Sequence, residues 1–196
     1  MTIRPDYAAI SQWIPHLSNV LDLGCGDGTL LKLLEEKCGA SGYGVEIDDA
    51  NVLACLRNNV NVIQMNLETG LAGFEAQSFD YVILSLTLQA VRHTELMLRE
   101  MVRVGKQGIV TFPNFGYWHH RWQIARGRMP VSDDLPYQWF DTPNIHLCTL
   151  VDFEDLCEKC GIRVLERLVL SDGKPVNALP NLRGQLAVYR FETELK

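Results

Sequence analysis

The stretch VLDLGCGDG, Val20 to Gly28, carries the reading of this chain. Its first half is a short apolar run, and three glycines, Gly24, Gly26 and Gly28, follow at alternate positions with Cys25 and Asp27 between them. Immediately after comes TLLKLLEEKC, where Leu30, Leu31, Leu33 and Leu34 recur with a helical period. A buried strand, a glycine turn and a helix are expected in that order. Glycines let the backbone turn sharply and let a ligand approach the main chain, while the start of the helix presents unpaired amides. Alone, such a turn suits a nicotinamide or flavin dinucleotide as well as an adenosyl compound.

The neighbours discriminate. A dinucleotide fingerprint GxGxxG needs Gly or Ala where this chain has Thr29. Asp22 and Asp27 flank the glycines, and carboxylates beside a pyrophosphate are unfavourable. S-adenosylmethionine (SAM) has the opposite need, because its sulfonium and ammonium groups are cationic. Asp22 is expected to meet that charge directly or to brace the amides of the turn. Glu46 closes the second apolar strand 22 residues after Gly24, near the spacing of about 20 at which an acid accepts from ribose hydroxyls. Ile47 stands next to it, and Asn66 with Leu67, after the third strand, is expected at the adenine edge. Together with Gly24, Cys25, Gly26 and Gly28, these residues form the expected pocket for SAM or S-adenosylhomocysteine.

Strand and helix signals alternate along the rest of the chain. Helices are expected at 6–13, 29–38, 50–58, 94–102 and 152–159, and strands at 19–23, 43–47, 60–64, 80–84, 108–112, 163–170 and 185–191. This is the pattern of an α/β protein with a mostly parallel sheet. Pro113 is expected to stop the fifth strand, since it has no N–H to donate. Residues 114–147, rich in Pro, Trp, Tyr and His, read as an irregular insertion, a lid or a partner surface, within a single domain 1–196. The segment 171–181, SDGKPVNALPN, reads as turns.

With 196 residues, 47% of them hydrophobic, the chain has the size and composition of one ordinary globular domain. Its formal charge of -6 argues against a protein whose main task is gripping a phosphate backbone. The one basic stretch, HHRWQIARGR with Arg121, Arg126 and Arg128 beside Trp118 and Trp122, is read as a lid or partner surface rather than a nucleic-acid site. No apolar run approaches the roughly 18 residues of a membrane helix. The amino terminus carries no basic-then-apolar leader, so a cytoplasmic location is expected. The six cysteines are scattered and expected to be reduced. Cys157 and Cys160 form one CxxC in a helical stretch with no second pair, and no His pair stands at i, i+4, so no metal site is expected.

These motifs are similar to those of class I SAM-dependent methyltransferases: VLDLGCGDG to their first motif, GVEID to their second and SFDYVILS to their fourth strand. The resemblance implies a Rossmann-like class I SAM-methyltransferase fold, with a seven-stranded, mostly parallel sheet and an antiparallel last strand. Asn66 departs from the acid that the superfamily often has there. Longer strings, SLTLQAVRH, RVGKQGIVTFPNFGYW, GRMPVSDDLPYQWFDTPNIHLCT and DFEDLC, resemble the MetW family of methionine biosynthesis proteins, over nearly the whole chain from Arg4 to about Asp172. That resemblance implies a bacterial methyltransferase-like protein that works with homoserine O-acyltransferase.

A methyl acceptor is expected to enter where the fourth and fifth strands end and the insertion folds over them. That region carries Thr87, Gln89, His93, Asn114, Tyr117, His119, His120, Tyr137 and His146. In-line methyl transfer needs positioning and exclusion of water, and a base only when the acceptor must lose a proton. The candidates for such a base are His119, His120 and Tyr117. His93 is expected to precede a helix and His146 to pack. Two functional readings stand side by side: an accessory subunit whose SAM occupancy orders the insertion for docking on the acyltransferase, and a free-standing methyltransferase for a small anionic acceptor.

Overall fold

The structure, a computed structural model, describes residues 3–194. The outer ends of the expected domain, residues 1–2 and 195–196, lie outside the described residues. The first half runs α1 (Pro5–Trp13), β1 (Asn19–Leu23), α2 (Thr29–Cys38), β2 (Ser41–Glu46), α3 (Asp49–Arg57), β3 (Val62–Gln64), β4 (Phe79–Ser85), α4 (Thr94–Val104) and β5 (Gly105–Pro113). The second half runs α5 (Trp118–Ala125), α6 (Leu150–Cys160), β6 (Ile162–Ser171), β7 (Lys174–Pro175), α7 (Pro180–Arg183) and β8 (Leu186–Thr193).

One sheet joins the strands in the order β3-β2-β1-β4-β5-β8-β6-β7. The pairs from β3 across to β5 are parallel, whereas β8 is antiparallel to both β5 and β6. Side chains alternate between the two faces of each strand. Leu21 and Leu23 enter a core with Val82, Leu98, Phe112 and Phe153, on the side of α4 and α6. Val20 enters the opposite core with Ile10, Leu30, Leu34 and Val188, under α1 and α2. Asp22 stands two residues from Val20 and so faces the α1–α2 side, close to the edge where β1, β2, β4 and β5 all end.

Three features differ from the sequence reading. The sheet has eight strands rather than seven, because 171–181 is not all turn: Lys174 and Pro175 pair back on Ser171 and Leu170. Asp172 and Gly173 both take positive φ, 49° and 73°, the two-residue hairpin turn that suits the right-handed twist of a strand pair. The same segment also ends in the first turn of the short α7, Pro180–Arg183. The insertion 114–147 is not wholly irregular, since α5 forms inside it with only His120 buried. A helix with one inward residue shows no apolar stripe, so its period is invisible in the sequence. Finally, α6 starts at Leu150 rather than 152, because Thr149 and Asp152 form a reciprocal capping box ahead of it.

Candidate functional site

The glycine turn is built by hydrogen bonds to the neighbouring strand. Gly24 and Cys25 both donate their amides to the Val45 carbonyl, at 2.8 and 3.1 Å, which bends the chain away from β1. Gly24, Gly26 and Gly28 have φ of +70°, +56° and +79°, where a side chain is strained. The three differ in what surrounds them. A Cβ at Gly24 would lie 2.8 Å from Thr87 Oγ1 and one at Gly28 2.9 Å from Val60, whereas one at Gly26 would meet nothing within 4 Å. Gly26 is therefore the glycine whose open side leaves room for a ligand.

The acids divide the work differently from the sequence reading. Glu46 braces the turn: its carboxylate accepts from the amides of Gly26 at 2.9 Å, Ile47 at 2.7 Å and Asp48 at 3.0 Å. A carboxylate offers about four acceptor positions, so one is left beyond these three amides. Asp27 is occupied locally, accepting from the Thr29 amide and hydroxyl at the start of α2. Asp22 is 2% exposed, and its Oδ1 is buried without a hydrogen-bond partner. Burial pushes its pKa up to about 7; the Arg4 guanidinium works against that shift, and Asp6 and Glu46 add to it.

A second layer, not singled out from the sequence, stands against Asp22. Arg4 grips Asp6 with two hydrogen bonds, Nε at 3.1 Å and a terminal nitrogen at 2.6 Å, and lies 4.1 Å over the Tyr7 ring. Asp6 is fully buried and also accepts from Ser85 Oγ at 2.8 Å, at the end of β4. Ser85 is joined in turn to Thr111 of β5 at 3.2 Å. The signal was present as a charged pair at the start of an otherwise apolar helix, but its partners lie far along the chain.

The remaining expected cofactor residues lie in the turn itself and just after β2 and β3. Ile47 is 58% exposed at the end of β2, an aliphatic side chain left in the open beside Glu46. Asn66 is exposed; its Oδ1 accepts from the Glu68 amide, which leaves its NH2 group free of partners among the described residues. Leu67 packs against the core. Cys25 contributes backbone only, since its thiol is buried 3.8 Å from Cys55 Sγ and burial pushes its pKa up.

The candidates for a base fall elsewhere. His120 is buried on α5, with Nε2 3.0 Å from Ser132 Oγ, Nδ1 without a partner, and a pKa lowered by burial. His119 faces another way and lines a cleft of about 400 Å³ with Trp122, Arg126 and Arg128. Tyr117 stands edge-on to His120, ring centres 5.6 Å apart. Three other residues expected at an acceptor entrance, Gln89, His93 and His146, line a different cavity of about 750 Å³ between α4 and α6, which shares no lining residue with the glycine turn. Cys157 and Cys160 are buried on α6. Among the described residues no cluster of three His, Cys, Asp or Glu is placed to hold a metal ion, and no helix is long and apolar enough to cross a membrane.

Comparison with known proteins gives this arrangement its place. Residues 4–191 match the family described as "Methionine biosynthesis protein MetW". The chain belongs to the MetW family. Another protein that carries the MetW name, the bifunctional methionine biosynthesis protein MetXA/MetW of Rhodopirellula baltica, is 35% identical over 99% of this chain. This chain spans only 33% of that protein's length. Among solved structures, a putative SAM-dependent methyltransferase from Listeria monocytogenes aligns with a TM-score of 0.72 at 13% identity, covering 97% of this chain and 99% of its own. A SAM-dependent methyltransferase from Archaeoglobus fulgidus aligns with a TM-score of 0.71 at 16% identity, covering 95% of this chain and 92% of its own. The fold of this MetW family member is thus that of SAM-dependent methyltransferases.

Proposed function

We propose that the chain binds S-adenosylmethionine, or S-adenosylhomocysteine, on the glycine turn and serves as a partner subunit of homoserine O-acyltransferase. The observation that carries the cofactor reading is Asp22. A buried carboxylate with an orphaned oxygen costs free energy unless a charge comes to meet it, and the ammonium group of SAM is such a charge. The residues present fit that ligand: Gly26 leaves open space, Glu46 keeps one acceptor position, and Ile47 with Asn66 offers an apolar face and a free amide to a purine. Bound SAM supplies an electrophilic methyl group. The chain's own part is to hold the turn through Glu46, to place Asp22 behind it, and to cover the strand ends with Arg4, Asp6 and Tyr7.

The partner reading rests on the insertion. Trp118, Trp122, Trp139 and Phe140 are 50%, 55%, 71% and 70% exposed, and an aromatic surface of this kind is characteristic of protein interfaces. A relative in which the MetXA and MetW names share one chain supports the same direction. The test is co-purification with the acyltransferase of the same cell, followed by acylation assays with and without SAM. A stoichiometric complex with raised acylation is expected, and acylation indifferent to the added chain would refute the partnership. A second reading, a free-standing methyltransferase for a small anion, is favoured by the His119–Arg126–Arg128 cleft. It predicts formation of S-adenosylhomocysteine from SAM with a metabolite extract, lost in Asp22→Ala.

A further inference from the structure

The cavity between α4 and α6 holds three of the residues expected at an acceptor entrance, yet it shares none with the glycine turn or with the His119 cleft. Its floor is apolar, made by Leu88, Phe112 and Phe153, all 3% exposed or less. Leu156 of α6 and Leu135 of the insertion form its walls. At about 750 Å³ it lies within the range of small-molecule sites, roughly 300–1,000 Å³. The insertion is tied over it by backbone hydrogen bonds from Ile145 and His146 to the Gln89 carbonyl, at 2.8 and 3.0 Å.

The charged groups at the mouth differ in how they are engaged. Of the two acids there, Glu95 is held by Arg99 at 3.2 Å and Lys159 at 3.0 Å. Asp152 is taken up by the Thr149 amide and hydroxyl, at 2.9 and 2.8 Å. Arg99 is in turn bound to the Cys160 carbonyl. Arg92, by contrast, is exposed, and its guanidinium has no hydrogen-bond or ion-pair partner among the described residues; only its backbone is engaged, with Glu68 and with His146 Nε2. Glu95 is paired within the protein, Asp152 is engaged by the neutral donors of its helix cap, and the Arg92 guanidinium is left without a partner among the described residues, above the apolar floor.

We infer that this cavity binds a small anion with an apolar body, such as an alkyl or aryl carboxylate, with the hydrocarbon on Phe112 and Phe153 and the anionic group at Arg92. Because the cavity shares no residue with the glycine turn, the test stands whether or not SAM binds. Calorimetric titration of the purified chain compares octanoate with octan-1-ol, equal in body and different in charge. Saturable binding of octanoate is expected, about threefold tighter than octanol, the size of one exposed ion pair. Arg92→Gln, a substitution of an exposed side chain, removes the difference between the two, and Leu156→Trp, which fills the wall, abolishes both. No saturable binding to the wild type, equal affinity for the two probes, or octanoate binding unchanged in both variants would overturn the inference. So would hydrogen-exchange protection of α4 and α6 by the acyltransferase in a chain that takes neither probe, because the cavity would then be a protein-docking groove.

Discussion

Replacing Asp22 by asparagine separates the demands of folding from those of the ligand. Asp22 moves from an ordinary 3.8 in the unfolded chain to about 7 in the folded one, chiefly through burial. Between those values the folded protein holds a proton that the unfolded chain has released, so stability falls as pH rises. The rate is about 1.4 kcal/mol per pH unit, or about 4 kcal/mol across the whole interval. Below pH 4 the contribution is constant, and above pH 7 the full penalty is present. The carboxamide of Asp22→Asn cannot ionise, so the variant loses this slope. Any cost of burying the amide's donors, about 1–3 kcal/mol, is the same at every pH and appears only as an offset. Urea unfolding at pH 5, 6, 7 and 8 reads the effect: the variant-minus-wild-type difference should climb steadily towards pH 7 and then level off. Ligand binding runs the other way. Only the ionised carboxylate attracts a cation, and at pH 6 about a tenth of the molecules carry it, so the apparent Kd for SAM should be about tenfold weaker than on the plateau above pH 8. In Asp22→Asn the binding should be weak and flat. Parallel stability curves for the two proteins, or a SAM affinity with the same pH profile in both, would refute the assignment of Asp22 as the charge behind the turn.

The glycines should separate in the same assays. Gly26→Ala has a strained φ but open space, so it should lower stability by about 1–2 kcal/mol and weaken SAM binding more than tenfold. Gly28→Ala adds a collision with Val60 to the same strain and should cost about 2–4 kcal/mol in unfolding experiments. A Gly26→Ala protein with wild-type affinity would mean that the open side does not face the ligand. Trp139→Ala with Phe140→Ala truncates two side chains that are about 70% exposed. The pair should leave the unfolding midpoint nearly unchanged, with an effect within about 0.5 kcal/mol per site, while reducing recovery of the acyltransferase in pull-downs at least tenfold.

Parallel strands covered on both faces read as continuous apolar runs, which is why VLDL and YVILS were legible as strands and why the order of elements followed from the sequence. The leucine stripe of α2 was legible for the related reason that one face is buried and the other is not. α5 was not, because WHHRWQIA turns only His120 inward. At the candidate site, Asp22, the glycines and Glu46 were picked out from spacing along a single βαβ stretch, and the bracing of the turn falls to Glu46 rather than to Asp22. The Arg4–Asp6–Ser85–Thr111 cluster could not be found that way. Asp6 and Thr111, 105 positions apart along the chain, come within 3.5 Å of each other, and no local pattern encodes that approach. The cavity above Phe112 and Phe153 is assembled from α4, α6, β5 and the insertion, and is illegible for the same reason.

The hydrogen bond from Arg4 to Ser85 fastens the first turn of α1 to the edge of the sheet where the glycine turn opens. Thr193, at the far end of β8, pairs with Ile162 near the edge where β5 begins. Eight steps of about 3.3 Å along β5 separate those two edges, roughly 26 Å. With SAM on the glycine turn as proposed, an affinity tag or fluorescent label fused upstream of Arg4 would crowd the ligand's entrance. The same cargo attached beyond Thr193 hangs from the opposite rim, and immobilisation through that end leaves the entrance free for titration.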